Sequence, residues 1–141
     1  MNWKDCEAEK LIKQASRARE RVPVSLSIAE RFLHSAQKNL EIEEYEMVQL
    51  AAYNSAFHSA RALLFSKGYT ERSHSCLGIA LNHLYKEEFD LLKLINIFDK
   101  MRVSSHNVQY GGTFVTFEEA SFSISFAEEM HHTASEILQS Y

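Results

Sequence analysis

Residues 45–68 read YEMVQLAAYNSAFHSARALLFSKG, and this stretch decides the fold. Its large apolar side chains recur every three or four residues, which places them along one side of an α-helix. Alanines between them widen the apolar surface. The pattern predicts a central helix from about Tyr45 to Lys67. We expect Gly68 to end it, because glycine readily adopts the left-handed conformation of a helix C-terminus.

The same spacing recurs along most of the chain. Pro23 is expected to end a first helix, and Ser25 is a suitable N-cap for a second. Thr116 and Glu119 have the spacing of a capping box, which predicts the start of the last helix. The apolar seam of that helix extends to Tyr141 and fits either a core or a pairing with another chain. Besides the central helix, we predict helices over residues 2–21, 25–42, 73–85, 88–105 and 116–139.

Composition supports a wholly helical protein. A chain of 141 residues with 45% hydrophobic and 24% charged residues is typical of one globular domain. Four glycines and one proline are too few for the many tight turns of an all-β chain. We therefore expect an all-α, single-domain, up-and-down bundle of four to six helices over residues 1–141. The predicted core comprises Ala51, Phe57, Ala60, Leu64, Leu94, Ile95, Phe98, Ile124 and Ala127.

The charge balance excludes a strongly basic nucleic-acid-binding domain. The net charge is −4 and the isoelectric point is about 6.0, so we expect no DNA partner and only local contact with RNA. One basic stripe at helical spacing is either a solvated helix face or such a contact. The stripe consists of Lys10, Lys13, Arg17 and Arg21.

The two cysteines, Cys6 and Cys76, have neither metal-ligand spacing nor the pattern of a disulfide framework. No run of about 18 apolar residues and no apolar signal core is present. These observations predict a complete cytoplasmic chain with reduced thiols and no membrane segment.

The chain has seven histidines, which are common metal ligands, but we expect no metal site. Adjacent positions such as His131 and His132 point about 100° apart on a helix. His58, His74 and His83 lack cysteine or carboxylate partners at ligand spacing. No glycine-rich phosphate loop or nucleophile motif occurs. We therefore predict no metal and no cofactor.

Residues 100–112, KMRVSSHNVQYGG, contain the candidate catalytic pair, Arg102 and His106. These residues lie on the same face if the helix continues through residue 106. Arginine binds phosphate oxygens, and histidine exchanges a proton near neutral pH, so the pair suffices for metal-independent RNA cleavage. The alternative is an ordinary helix C-terminus, which favours cations.

A second polar group lies on the central helix. Asn54, His58 and Arg61 are separated by four and three residues, so they share one stripe beside the apolar face. The stripe either joins helices through hydrogen bonds or lines a cleft that also receives Arg102.

Four segments of the chain resemble the HEPN domain family. They are AAYNSAFHSARALLFSKGY, SHSCLG, MRVSSHNVQYGG and TFEEASFSISFAEEM, within a region of about residues 25–140. The resemblance implies a compact helical bundle, usually a homodimer whose cleft is built from two copies of the arginine-bearing helix. Many members are RNase toxins neutralised by a minimal nucleotidyltransferase. Others lack activity and bind nucleotides or proteins.

The family's catalytic signature is an arginine, four to six residues, and then a histidine. Here three residues separate Arg102 from His106, and Val103 occupies a position that is commonly polar. The pair is either compressed but still aligned, or degenerate, with Asn107 in place of the base. In some family toxins a tyrosine beyond the histidine is modified by the partner. The nearest tyrosine here, Tyr110, lies two residues too far along, and we expect its ring to pack against the bundle.

The resemblance therefore implies one of two functions. In the first, the chain belongs to a toxin–antitoxin-like pair, binds a nucleotidyltransferase or a nucleotide, and has a degenerate or altered RNase site. In the second, it is an active RNase toxin that uses Arg102 and His106 in a dimer cleft. Candidate binding residues for either function are Asn54, His58, Arg61, Asn107 and Tyr110.

Overall fold

The computed structural model describes residues 1–140 and confirms the all-α architecture. Tyr141, predicted at the end of the last apolar seam, lies outside the described residues. Two short strands accompany the helices, which differ in length from 6 to 23 residues. The helices are α1 (Trp3–Ala8), α2 (Val22–Glu41), α3 (Tyr45–Ser66), α4 (His74–Leu84), α5 (Phe89–Gly111) and α6 (Phe117–Gln139).

Helix α3 is the central element, as its sequence predicts. It contacts α2, α4, α5 and α6, and Gly68 follows it with φ 86°. Every predicted core side chain is buried except Ala51, which is only partly buried. Its neighbour Ala52 is fully buried instead, in a cluster with Ala36 and Ala127 of the flanking helices. Small side chains there let α2, α3 and α6 approach closely.

The prediction of one helix over residues 2–21 is wrong. Helix α1 ends at Ala8, and Lys10 adopts a left-handed conformation with φ 57°. Strand β1 (Ile12–Gln14) then pairs antiparallel with β2 (Tyr69–Glu71). Ile12 is 1% exposed in the core, so burial and strand pairing outweigh helical spacing in this segment.

The predicted basic stripe consequently does not form. A single helical face needs continuous α-helix, and this segment contains a turn, a strand and a 3₁₀ turn over Ala18–Arg21. The four side chains therefore do not share one helix face. They are Lys10, Lys13, Arg17 and Arg21.

Pro23 begins a helix where the sequence analysis expected it to end one. It lies in the first turn of α2, where its missing N–H would have no helical partner. Ser25 is therefore inside α2 and is not the N-cap. Its buried hydroxyl donates to the carbonyl of His58 at 2.7 Å, and Ser55 donates back to the carbonyl of Ala29 at 2.7 Å. These two bonds join α2 to α3.

The expectation of free thiols is also wrong, because Cys6 and Cys76 form a disulfide. Helix α1 packs on α4, which brings the two Cα atoms to 5.9 Å, within the usual range for a disulfide. The cysteines are 70 residues apart in sequence. Their pairing depends on helix packing that no local motif reveals.

No helix within residues 1–140 is sufficiently long and apolar to cross a membrane. Within the same range, no cluster of three or more histidine, cysteine, aspartate or glutamate side chains is placed to hold a metal ion.

Candidate functional site

A cleft of about 590 Å³ lies between α3, the N-terminus of α4 and the C-terminal half of α5. We call it the Arg102 cleft. It brings together side chains from three separate segments of the chain. Those with polar or titratable groups include Tyr53, Asn54, His74, Arg102, Ser105 and His106.

Arg102 is held along α5 by the aspartate one turn earlier. Its Nε and Nη2 atoms donate to Asp99 Oδ1 at 3.1 and 3.0 Å. The Arg102 side chain is 33% exposed and Asp99 is 59% exposed, so the ion pair contributes little to stability. Since a guanidinium has five N–H donors, three remain for an anion in the cleft.

His106 lines the same cleft because α5 continues past it. The helix is longer than the sequence predicts. The helix was expected to end near Ser105 but continues to Gly111, and Gly112 caps it with φ 69°. Gln49 donates to the Ser104 hydroxyl at 2.6 Å, and Val108 is buried. Both contacts secure the last turns on the bundle. Arg102 and His106 therefore share a helix face.

Tyr110 and Asn107 lie near the end of α5, and only Tyr110 lines the cleft. Tyr110 lines the cleft but is 71% exposed, so the expectation that its ring packs against the bundle is wrong. Its ring lies 4.9 Å from that of His106, centroid to centroid, and one turn of helix places both at the rim. Asn107 is exposed and does not line the cleft. Its carbonyl instead accepts the capping N–H groups of Gly112 and Thr113.

The polar stripe of α3 divides between two cavities. Asn54 lines the Arg102 cleft, with its amide nitrogen donating to the carbonyl of Leu50 at 2.8 Å. His58 and Arg61 instead line a separate cavity of about 430 Å³ beside α2. The single cleft that would combine these three residues with Arg102 is not formed.

In that second cavity, Arg61 makes contacts that hold the fold together. Its Nε donates to Glu71 Oε1 at 2.7 Å, and the Glu71 side chain is only 7% exposed. The guanidinium also lies over the rings of Phe65 and Phe57, at 5.0 and 5.5 Å from their centroids. Arg61 thus connects α3 to β2.

His58 is held neutral in the same cavity. Burial, followed by the nearby Arg61 and His74, lowers the pKa of His58 from its ordinary 6.5 to about 4. Its ring stacks on Phe32 at 5.7 Å. Within the described residues, its Nδ1 atom is buried and has no hydrogen-bond partner.

The sequence analysis missed the pair formed by Tyr53 and His74. The Tyr53 hydroxyl lies 2.7 Å from His74 Nδ1, and both side chains line the Arg102 cleft. Burial raises the pKa of Tyr53, and partial burial of the imidazole is the main cause of a lowered pKa for His74. The available signal was Ser73, an N-cap that places His74 at the first position of α4.

Comparison with known proteins agrees with this architecture. The chain is similar to the protein named "Putative toxin MJ0605" of Methanocaldococcus jannaschii, with 29% identity over 115 residues that cover 79% of this chain and 84% of the relative. The model of the HEPN domain family matches residues 22–138, which include every helix from α2 to α5 and nearly all of α6. This match covers most of the chain, and the protein therefore belongs to the HEPN domain family.

Proposed function

We propose that this HEPN protein is one half of a toxin–antitoxin-like pair and that its Arg102 cleft binds a phosphate-bearing nucleotide or RNA. The observation that carries the proposal is the single cleft that contains Arg102, His106 and the N-terminus of α4. Guanidinium groups and helix N-termini both favour phosphate. The toxin designation of the similar archaeal protein supports the biological setting.

In this proposal the RNase chemistry is altered. The compressed spacing places His106 on the same face as Arg102, yet the His106 ring lies at the exposed rim beside Tyr110. No hydrogen bond to another described side chain orients His106. A general base works best when a partner fixes its position, so binding is the better supported role for this cleft.

The second member of the pair is proposed to be a minimal nucleotidyltransferase. Tyr110 is 71% exposed at the cleft rim, so its hydroxyl is accessible to an enzyme that transfers a nucleotide. Large apolar side chains near the start of α6 are also exposed, which leaves them available to a protein partner. They are Phe114, Phe117 and Phe122.

A second candidate function is metal-independent RNA cleavage, favoured by the continuity of α5 through His106. The imidazole would take the proton of a ribose 2′-hydroxyl, and the 2′-oxygen would attack the adjacent phosphorus. The P–O bond to the 5′-oxygen then breaks, and that oxygen takes up a proton from water, while the imidazolium returns its own proton to solvent. Arg102 would stabilise the negative charge that develops on the phosphate.

Paired binding and cleavage assays distinguish the two functions. The purified chain is incubated with single-stranded RNA and with a nucleoside monophosphate, alongside Arg102→Ala, His106→Ala and a control, His132→Ala. His132 is 72% exposed on α6, outside the cleft. The binding function predicts that Arg102→Ala weakens binding about tenfold or more, that the control binds normally and that no variant cleaves.

Cleavage that is lost in His106→Ala would establish the RNase instead. Growth arrest on expression that is lost in both Arg102→Ala and His106→Ala would likewise favour the RNase over the binding function. A parent chain that neither binds nor cleaves RNA and binds no nucleotide would contradict the proposal.

A further inference from the structure

His74 is held rigidly at the wall of the Arg102 cleft. Its Nδ1 atom is engaged by the Tyr53 hydroxyl at 2.7 Å. Its ring stacks on Phe57 with centroids 3.9 Å apart and planes 15° from parallel. These contacts fix the orientation of the imidazole and leave Nε2 as the ring nitrogen available to a ligand.

With Tyr53 as the donor, its hydrogen bond to His74 sets which ring nitrogen of His74 carries the proton. Burial raises the pKa of Tyr53, so its hydroxyl keeps its proton and can donate it to Nδ1. A neutral imidazole that accepts at Nδ1 carries its own proton on Nε2. His74 is then a hydrogen-bond donor toward the cleft. Tyr53, which acts through His74, is a positioning residue.

Ser105 provides an independent sign of a missing ligand. It lines the cleft and is only 4% exposed. Within the described residues, its hydroxyl oxygen is buried and has no hydrogen-bond partner. Buried hydroxyls are nearly always paired, since an unpaired one is costly. A turn of the side chain about its Cα–Cβ bond would present the hydroxyl to a ligand oxygen in the cleft, which would supply the partner.

The first turn of α4 completes the set of donors. This helix has 11 residues, and its N-cap Ser73 accepts from the Cys76 amide at 3.2 Å. The amides of His74 and Ser75 have no acceptor within the helix. Ser73, His74 and Ser75 all line the cleft, so the positive end of the helix dipole lies at its wall.

We infer that His74, Ser105 and the first turn of α4 form a phosphate subsite of the Arg102 cleft, with Tyr53 positioning the imidazole. This inference rests on the proposed function and identifies the groups that would hold the ligand. Every member can donate a hydrogen bond, and together with Arg102 they offer donors from two helices. Such a set suits a tetrahedral oxyanion whose several oxygens accept in different directions. The phosphate belongs either to a mononucleotide or to an RNA chain.

Calorimetric titration of the full chain with adenosine 5′-monophosphate, and separately with a short single-stranded RNA, tests the subsite. His74→Ala and Ser105→Ala are each expected to weaken binding about ten- to hundredfold, the usual effect of losing a hydrogen bond to a charged group. His74→Gln, which retains an N–H donor, should recover part of the loss. His83→Ala is the matched control because His83 lies on α4 but outside the cleft.

Tyr53→Phe tests the positioning role separately. Nitrogen-15 NMR of the parent should show His74 protonated on Nε2, and the variant should show a mixture of tautomers with weaker binding. An unchanged tautomer would contradict the role of Tyr53. Thermal unfolding of each variant verifies that the chain remains folded.

The outcomes separate this inference from the proposed function. If Arg102→Ala loses binding while His74→Ala and Ser105→Ala bind as the parent does, the subsite is wrong and the proposed function stands. If the parent binds neither ligand, both are wrong. Binding of only one ligand, with the expected losses, supports the subsite and identifies the source of the phosphate.

Discussion

His58 is the residue whose ionisation should most affect stability. The pKa of His58 is about 4 in the folded chain, against an ordinary 6.5, because the imidazole is half-buried and lies near Arg61 and His74. The unfolded chain therefore binds more protons than the folded chain between these two pH values. It follows that the contribution of His58 to the free energy of unfolding has its maximum value above pH 6.5 and falls as the pH is lowered toward 4.

Replacing His58 with phenylalanine should flatten this pH dependence. Phenylalanine keeps a ring to stack on Phe32 and removes both the titration and the unpaired Nδ1 atom. Because the pKa of His74 is also lowered, part of the dependence should remain. Urea denaturation between pH 4 and 7.5 measures it. A variant whose stability falls with pH as steeply as the parent's would contradict the account of His58.

Arg61 is expected to matter for stability and not for ligand binding. Arg61→Ala would leave the nearly buried carboxylate of Glu71 without its partner, which should lower the free energy of unfolding by about 2–3 kcal/mol. The double variant Arg61→Ala/Glu71→Ala should recover part of this loss. Nucleotide binding should be unchanged, and a stable Arg61→Ala protein that binds poorly would show that the second cavity is functional.

At the residue scale, the sequence identifies candidate residues better than it predicts which of them line the same cavity. Arg102 and His106 could be identified by spacing, and the structure brings them to one cleft. The same reasoning joined Asn54 to His58 and Arg61, which share one face of α3, yet Asn54 lies a turn before His58 along the helix and lines a different cavity. His74 was set aside for lack of a metal-ligand partner. Its partner, Tyr53, is a phenol 21 residues away that only helix packing reveals.

Among the elements, α3 and α6 were the most predictable. The spacing of α3 and the capping box of α6 are local signals, and both helices form where they predict. The prediction for the N-terminal segment failed because the segment pairs with a strand 57 residues later, where Lys13 is opposite Thr70 of β2. Helix α5 was predicted too short because its last turns are secured by contacts with other elements, such as the bond from Gln49.

The Cys6–Cys76 disulfide should stabilise the attachment of the N-terminal segment. It links α1 to α4 across 70 residues of sequence, and closing a loop of this length in the unfolded chain should contribute about 2–4 kcal/mol. Chemical denaturation with and without reductant measures the difference. The double variant Cys6→Ala/Cys76→Ala is the control and should not respond to reductant. A parent equally stable in both conditions would contradict the link.

For the whole molecule, we propose a homodimer. A two-fold axis that brought two Arg102 clefts together would double the positive charge available to an RNA phosphate. Sedimentation equilibrium at micromolar concentration should give twice the 16.3 kDa mass of the chain. A mass of 16.3 kDa under these conditions would contradict the dimer.

The central claim is that the Arg102 cleft holds a phosphate-bearing ligand, and amide chemical-shift mapping tests it most directly. Nitrogen-15-labelled protein is titrated with adenosine 5′-monophosphate, and the shifted amides are assigned. The account predicts saturable shifts at residues 53–54, 73–75 and 102–110, the segments that line the cleft. Shifts confined to residues 20–28 and 58–65, which line the second cavity, or no saturable shifts at all, would contradict it.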